Sequence, residues 1–497
     1  MPMLSRVKNA DSTYRGALET ALNHALTHLT SLDQSSVATT AGCLSLRDQI
    51  ARPLEKQGVS AEQVIRELAH DVAGGLLGSA GGRFFAWVIG GSLPAALAAD
   101  WLTSAWDQNA VLAATAPAAA LVEEIAGAWL KDVLGLPADA SFSFVTGCQM
   151  AHATCLAAAR HALLAQRGWN VEEQGLFGAP PIRVLTSIAR HAAFERAVRL
   201  VGLGRSQIVY LSADDRDFLR ADSLQDALAA EPTSPAIVLL QAGDINIGAF
   251  DDFPALIPIA RRYRAWVHVD GAFGLWAAAS PRYQHLVRGV ELANSWATDG
   301  HKLLNVPFDC GYAFVSDTKA HSGSMAQQAS YLTQNGDARD PMDWTPEWSR
   351  RARGFPTYAA LRQLGREGVT ALVGRVCAHA HALATRIGSL PGAQLLWEPV
   401  FNQGLVRFLD PQRGASDTDH DRHTDQVIAA VNGTGEAFFS GTTWHGRRAM
   451  RISVCNWQTS KEDVERSVNV VAEVLRESKP DSVSAKAKGR ISEKTRP

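Results

Sequence analysis

Residues 265–274 read AWVHVDGAFG, and residues 297–311 read ATDGHKLLNVPFDCG. The first is an apolar run that stops at Asp270. The second follows a short apolar run at 296–298 and delivers His301 and Lys302 among glycine and small polar residues. Both have the pattern of a buried strand that ends on polar side chains, and the spacer between them is of helix length. Similar short runs recur on either side, at Arg183–Ser187, Ala236–Gln241 and Gly311–Val315, separated by helical patterns. Strands that alternate with helices predict an α/β fold with a mostly parallel sheet sandwiched by helices. Ligands of such sheets sit beyond the carboxyl ends of the strands, so Asp270 and Lys302 are expected to face one crevice.

The flanking sequence has a different texture. From Thr13 to about Val72 apolar residues recur at helical spacing, as in Leu18, Leu22, Ala25, Leu26 and Leu29, which predicts a helical arm. Residues 74–91, GGLLGSAGGRFFAWVIGG, are too glycine-dense for regular helix and suit a loop threading over another surface. After Pro356 the pattern becomes a long helix from Tyr358 to about Ile387. Strands follow near Gln394–Trp397, Gly404–Phe408 and Ala449–Val454, then a helix from Lys461 to Arg476. The expected organisation is an N-terminal arm and glycine-rich loop over 1–100, a large α/β domain over 101–355, a small C-terminal α+β domain over 356–476, and a disordered tail over 477–497. That tail has too few large apolar residues to fold.

Composition narrows the function. The chain has 497 residues, 46% hydrophobic and 20% charged, as in ordinary globular proteins. A net charge of −2 with dispersed Lys and Arg gives no basic surface for nucleic acid. No apolar stretch suits a membrane span or an export signal. The six cysteines form no CxxC pair, so neither a metal site nor a disulfide framework is predicted, and a reducing cytoplasm is the expected location.

The chemistry rests on residue types at strand ends. A carboxylate at the edge of the sheet, Asp270, is what a protonated pyridine nitrogen needs, because the pairing keeps the ring able to accept electrons. Lys302, projecting into the same crevice, can hold an aldehyde cofactor as a Schiff base, provided desolvation or a nearby cation lowers its pKa. Most lysines are solvated surface charges, and it is the order strand-Asp, then strand-His-Lys, that singles this one out. Upstream, residues 144–160, FVTGCQMAHATCLAAAR, read as a strand end, a turn at Gly147 and a helix starting near Gln149. Helix N-termini suit phosphate, so Thr146, Gly147, Cys148 and Gln149 are phosphate candidates. His191 follows the strand Arg183–Ser187, where an imidazole can stack on a pyridine ring and exchange protons; a capping or packing role is the plainer alternative.

Together these segments, from about Gly82 to about Val474, resemble the pyridoxal-phosphate-dependent group II decarboxylases, which include aromatic-amino-acid, glutamate and histidine decarboxylases, within the fold-type-I superfamily. His191, Asp270 and the pair His301-Lys302 match the family's stacking His, strand-terminal Asp and His-Lys, in order and interval. The resemblance implies Ala272 on the other ring face, His301 beside the phosphate and Asp299 where many members carry Asn. In residues 241–252, QAGDINIGAFDD, Asp244 and Asn246 stand in a loop that ordinarily carries a substrate-contacting Thr. It also implies a homodimer with active sites at the interface, an amino acid as substrate, and Phe84 and Phe85 as pocket walls from the neighbouring subunit. Residues 340–354, DPMDWTPEWSRRARG, match the loop that carries a proton-donating Tyr in the best-known members, but that position falls on Pro341. Trp344 in the same loop is a candidate substrate contact, and Tyr331 lies ten residues earlier.

The leading expectation is α-decarboxylation of an L-amino acid to the amine and carbon dioxide through Lys302. Alternatives are an oxygen-dependent decarboxylation-deamination giving an aldehyde, which the missing Tyr favours, another carbon–carbon lyase, and a catalytically retired binding or regulatory subunit. Arg451 is expected to be structural rather than a carboxylate grip. Arg350, Arg351 and Arg353 read as a solvated loop sooner than as an anionic-substrate patch.

Overall fold

The computed structural model describes residues 10–214, 216–327 and 339–478. Its centre is a seven-stranded sheet: β1 (Ser141–Val145), β2 (Arg183–Ser187), β3 (Ile208–Leu211), β4 (Ala236–Gln241), β5 (Trp266–Asp270), β6 (Ser295–Asp299) and β7 (Gly311–Val315). The strand order is β1-β7-β6-β5-β4-β2-β3. Strands β2 to β6 are parallel and β7 runs against both its neighbours. Because β1 and β6 each pair antiparallel with β7, Val145 and Asp299 both lie opposite Gly311, at one edge of the sheet. Asp270 reaches the same edge. Every residue of β4, AIVLLQ, is buried, as a strand covered on both faces requires.

A second sheet, of order β10-β11-β9-β8, contains β8 (Ala393–Trp397), β9 (Gln403–Phe408), β10 (Ser440–Trp444) and β11 (Arg447–Ser453), all antiparallel. The helix Gly354–Gly388 joins the two parts, the helix Asp417–Thr434 packs on the small sheet, and the helix Lys461–Glu477 packs on both of these helices. One contiguous apolar core runs from Phe85 through the large sheet to Leu475. The boundary expected near residue 100 falls inside the helix Pro94–Trp106, which packs on the helix Gly354–Gly388, so that helix goes with the body of the protein rather than with the arm.

The arm comprises the helices Ala10–Ser31, Cys43–Ile50 and Ala61–Val72, and the latter two bury none of their residues. Residues 74–91 do thread over a surface, and it is their own chain's. Arg83, 2% exposed, donates to the carbonyls of Asp33 (2.7 Å) and Ser35 (3.0 Å), and Phe85 exchanges backbone hydrogen bonds with Phe438 and Ser453. Glycine is required at Gly90: a Cβ there would lie 2.1 Å from the Lys302 carbonyl oxygen. None of the described helices is long and apolar enough to cross a membrane. Of the tail expected over 477–497, all but the first two residues lie outside the described residues, as does Tyr331.

Candidate active site

Asp270, the last residue of β5, is 7% exposed. Its Oδ1 accepts the Ala272 N–H at 3.1 Å, and its Oδ2 lies 3.4 Å from His152 Nε2. Burial alone would raise this carboxyl, but His152, His191 and Lys302 together hold it well below the usual carboxylate range. The group is therefore an ionised carboxylate throughout the range in which proteins fold.

Lys302 follows β6 by three residues and its ammonium pairs with Asp299 Oδ2 at 2.9 Å. Burial would lower its pKa, yet Asp299 and Asp270 raise it above the ordinary lysine value. The proviso attached to Lys302, a pKa lowered by desolvation or a nearby cation, is not met before the cofactor binds, because neighbouring carboxylates outweigh desolvation.

Asp299 has a second partner. Its Oδ1 accepts the backbone N–H of Cys148 at 2.6 Å, at the start of the helix Cys148–Ala165. One of the N–H groups expected for phosphate is therefore already engaged by a side-chain carboxylate. Gly147 packs closely enough against β7 that a Cβ on Gly311 would meet its Cα at 2.5 Å, and a Cβ on Gly147 itself would come within 3.2 Å of His301 Cε1. His301 stacks on Phe308 at 4.3 Å between centroids, accepts the Cys310 N–H at Nδ1 and turns Nε2 toward Asp299 at 3.5 Å. Thr146 and Gln149 flank the same turn and are half-buried.

His191 caps the helix Ala192–Leu200, its Nδ1 accepting the Ala193 N–H at 3.2 Å. That bond places the ring proton on Nε2. The surrounding protein lowers its pKa from 6.5, with Lys302, His152 and Arg451 acting in the same direction and Asp270 opposing. His191, Asp270, Lys302 and Arg451 thus share one electrostatic neighbourhood although they come from four separate segments. Arg451, on β11, is buried, and its Nε and Nη2 have no hydrogen-bond partner among the described residues. Arg350 Nε and Arg353 Nη1 share this feature, so the unpaired donors of Arg451 are compatible with the structural role expected for it and with a carboxylate grip.

Other expected residues lie elsewhere. Phe84 stacks on Phe438 and Phe85 on Phe439, both inside their own chain's core and at most 2% exposed, so neither is free to wall a neighbour's pocket. The exposed aromatic of that stretch is Trp87. Trp344 packs on His321, whose Nδ1 bonds Ser141 Oγ at 2.9 Å. That is the opposite end of β1 from Gly147. Pro341 opens a short 3-10 turn, Pro341–Trp344, and is buried. Asn246 accepts from Thr442 Oγ1 at 2.9 Å, tying its loop to β10. Asp244 accepts the N–H groups of Asn246 and Ile247 through Oδ1 and leaves Oδ2 buried without a partner; burial pushes its pKa up to about 6.

Arg350 and Arg353 are buried rather than solvated. Arg350 pairs with Glu123 and donates to the Phe144 carbonyl at 3.0 Å, Arg353 donates to Asp309 Oδ1 at 2.9 Å, and Arg351 pairs with Asp100 at 2.7 Å. All three are structural ties, and they form no anionic-substrate patch among the described residues.

The residues that sequence reasoning passed over are His152 and His268. His152 lies one helical turn after Cys148, and His268 two positions before Asp270 on the same face of β5. Polar residues at those offsets in otherwise apolar elements were the available signal. Cys148, His152 and Asp270 offer ligand atoms within 4.8 Å of one another. Burial pushes the Cys148 thiol up, and in this form it hydrogen-bonds to Asp270 and His152.

A strand-end carboxylate held ionised, a half-buried lysine, a solvent-accessible imidazole and a helix start at one sheet edge fit pyridoxal phosphate. Fold and site together define a fold-type-I pyridoxal-phosphate enzyme. The model of the pyridoxal-dependent decarboxylase conserved domain matches residues 44–408, and the chain belongs to that family, with pyridoxal phosphate as cofactor and amino-acid decarboxylation, a carboxy-lyase reaction, as its activity. It is 28% identical over 389 residues to L-2,4-diaminobutyrate decarboxylase of Rhizobium meliloti (strain 1021), covering 77% of this chain and 75% of that protein. It is 26% identical over 392 residues to 4-hydroxyphenylacetaldehyde synthase of Rhodiola rosea, covering 77% and 79%. The crystal structure of Oryza sativa TDC with PLP and tryptamine superposes with a TM-score of 0.87 at 23% identity, covering 96% of this chain and 99% of that one, which shows the shared fold.

Proposed function

We propose that Lys302, Asp270, His191 and Arg451 carry out the decarboxylation of an L-α-amino acid, with the cofactor seated between β5, β6 and the start of the helix Cys148–Ala165. The observation behind this is the convergence of Asp270, Lys302 and His191 at one sheet edge, where Lys302 and His191 both favour the ionised form of Asp270 and Asp270 in turn raises the pKa of Lys302. When bound, pyridoxal phosphate supplies the aldehyde that takes up an amine and the ring that draws electrons from the substrate Cα. Lys302 is the attachment point. Asp270, ionised, keeps a proton on the ring nitrogen. His191 would stand over the cofactor ring and, with its proton on Nε2, would be the acid that returns a proton to Cα, the role that Pro341 cannot take. Arg451 presents two unpaired donors to a substrate carboxylate and fixes its orientation.

Gly147, Gln149, Thr146 and His301 form the phosphate side, with Ala272 on the ring face away from His191. Asp299 stands between this cradle and Lys302, so cofactor binding must draw Lys302 out of its ion pair. The exposed stripe of Leu18, Leu22 and Leu26, one helical turn apart, supports a homodimer in which the arm covers a second copy. The six cysteines are free, in keeping with the cytoplasm. The body divides functionally into the cofactor-bearing 101–355 and the small domain 356–476 that contributes Arg451.

Turnover in D2O tests the assignment of His191. Wild type should release amine carrying one deuterium at Cα. His191→Gln should slow release by about 10²-fold or more while Lys302 still gives the visible band of bound cofactor. An unchanged rate in His191→Gln would remove His191 as the acid. Proline at the Tyr position also supports a second reading, oxidative decarboxylation to an aldehyde, and aldehyde made at the expense of amine in wild type would favour it.

A further inference from the structure

Behind Asp270 runs a file of buried polar groups that the reaction as described does not use. His152 Nδ1 lies 2.8 Å from His268 Nε2, His268 Nδ1 lies 2.9 Å from Ser295 Oγ, and Trp266 Nε1 donates to that same Oγ at 2.8 Å. At the other end His152 Nε2 faces Asp270 Oδ2 at 3.4 Å. Trp266, His268 and Asp270 alternate along β5 and so project to one face; Ser295 on β6 is the registered partner of His268. His152, His268 and Ser295 are at most 1% exposed, and Phe194 packs edge-on to His152 and flat on His268, sealing the file from water.

The carboxylate end of this file selects one consistent pattern. An indole N–H can only donate, and an ionised carboxylate can only accept. Trp266 donates to Ser295, whose hydroxyl keeps its own hydrogen and can give it to His268 Nδ1. His268 then carries its proton on Nε2 and donates to His152 Nδ1, and His152 carries its proton on Nε2 and donates to Asp270. In this pattern every group of the file has a partner, and the Cys148 thiol, 3.5 Å from His152 Nε2, gives its own hydrogen to Asp270 Oδ1 at 3.9 Å. Burial drives His268 far toward the neutral form, in agreement.

We propose that His152 is a positioning residue for Asp270, locked by the file Trp266–Ser295–His268 into the tautomer that donates to the carboxylate that pairs with the cofactor's ring nitrogen. The inference rests on Asp270 having that pairing role, and it adds the device that keeps Asp270 ionised and correctly aimed in a dry environment. The other groups facing Asp270 do not replace it. The Cys148 thiol lies at 3.9 Å and is a weak donor, the Ala272 N–H is on Oδ1, and Lys302 and His191 stand on the crevice side and are engaged in the reaction. Removing His152 leaves burial, which acts to protonate Asp270, less opposed.

Two measurements on the full-length protein test this, one of them independent of catalysis. In protein labelled with 15N at histidine, with and without cofactor, the N–H···N bond between His152 and His268 gives a 15N–15N coupling that identifies the pair without any variant. Both rings should be neutral with the proton on Nε2. A proton on Nδ1 of either ring, or an imidazolium, would overturn the file, and so would stoichiometric zinc in the purified protein, since coordination at His152 Nε2 displaces its proton. The second measurement is cofactor affinity and the pH profile of its visible band in His152→Leu and His152→Gln. Leu should weaken binding by on the order of 10–100-fold, as loss of an outer-layer hydrogen bond to a charged ligand does elsewhere, and should move the band's pH midpoint. Gln, able to accept from His268 and donate to Asp270, should restore both to within a few-fold. If Leu and Gln lower thermal stability alike and neither moves the pH profile, His152 is packing only. If the tautomers are as stated but Asp270→Asn leaves the band and turnover unchanged, it is the role of Asp270 that fails, not the file.

Discussion

Gly90→Ala is a one-methyl change that should damage the active site from behind. The new Cβ would sit 2.1 Å from the Lys302 carbonyl oxygen and 2.9 Å from that of His301, both backbone atoms that no side-chain rotation can clear. The closest tolerable approach is about 3 Å, so the two segments must separate by about 1 Å. The glycine loop resists moving: Gly91 N–H donates to Asn305 Oδ1 at 2.8 Å, Leu93 N–H donates to the Asn305 carbonyl at 2.9 Å, and a Cβ on Gly91 would meet Asn456. Much of the shift therefore passes to Lys302, and misplacing a reacting group by about 1 Å costs on the order of 10²-fold in rate. Overpacking should also lower stability by about 1–3 kcal/mol. The assay is kcat/KM for amine release beside a thermal melt, with Gly374→Ala as control, because a Cβ at that helix position meets nothing within 4 Å. The control should be neutral or slightly stabilising. A Gly90→Ala protein with wild-type kcat/KM and wild-type melting would refute the coupling between the glycine loop and Lys302.

Asp270→Asn keeps the shape and removes the charge; kcat should fall by about 10²–10³-fold with little change in fold, measured by steady-state kinetics and circular dichroism. Arg451→Gln should raise KM for the substrate by roughly 10–100-fold, the equivalent of a charge-assisted hydrogen bond, while the visible band remains. Glu123 and Arg350 form an ion pair with both side chains 1% exposed, so Glu123→Gln should destabilise by about 3–5 kcal/mol in denaturant titration, because the guanidinium is left buried and unpaired. His321 is buried beside Arg339, which together push its pKa down to about 3 from 6.5. The unfolded chain takes up that proton below pH 6.5 and the folded chain does not, so stability is full above 6.5 and declines as pH falls toward 3, by up to about 1.4 kcal/mol per pH unit. His321→Asn should flatten that decline in melts across the window.

The strands that carry the site were legible because each is an apolar run ending on a polar residue. The predicted Ala265–Val269 and the observed Trp266–Asp270 differ by one position, and Asp270 and Lys302 follow from that reading. Elements with weaker patterns escaped it. β3 is a four-residue edge strand, and β10, SGTTW, has a glycine and two threonines where an apolar run was sought. The helix Asp417–Thr434 begins DTDHDRHTD, so its apolar face emerges only from Val427 onward. Aromatic residues misled in the other direction, since Phe84, Phe85 and Trp344 have the composition of a pocket wall and the positions of packing residues, a difference set by tertiary contacts. The arginines at 350, 351 and 353 read as loop charges because their partners Glu123, Asp100 and Asp309 are distant in sequence or across a turn. His152 and His268 required knowing that the helix after Gly147 lies on the same face of β5 as Asp270.

The central claim is that the chain uses Lys302 and pyridoxal phosphate to decarboxylate an amino acid. Mass-spectrometric product analysis of the cofactor-loaded protein against the common amino acids, ornithine, 2,4-diaminobutyrate and dihydroxyphenylalanine, with and without oxygen, tests it most directly. The account predicts amine and carbon dioxide in equal amounts from at least one substrate, alike in both atmospheres, and none from Lys302→Ala. Aldehyde and ammonia formed only with oxygen, or identical inertness of wild type and Lys302→Ala toward every substrate, would contradict it.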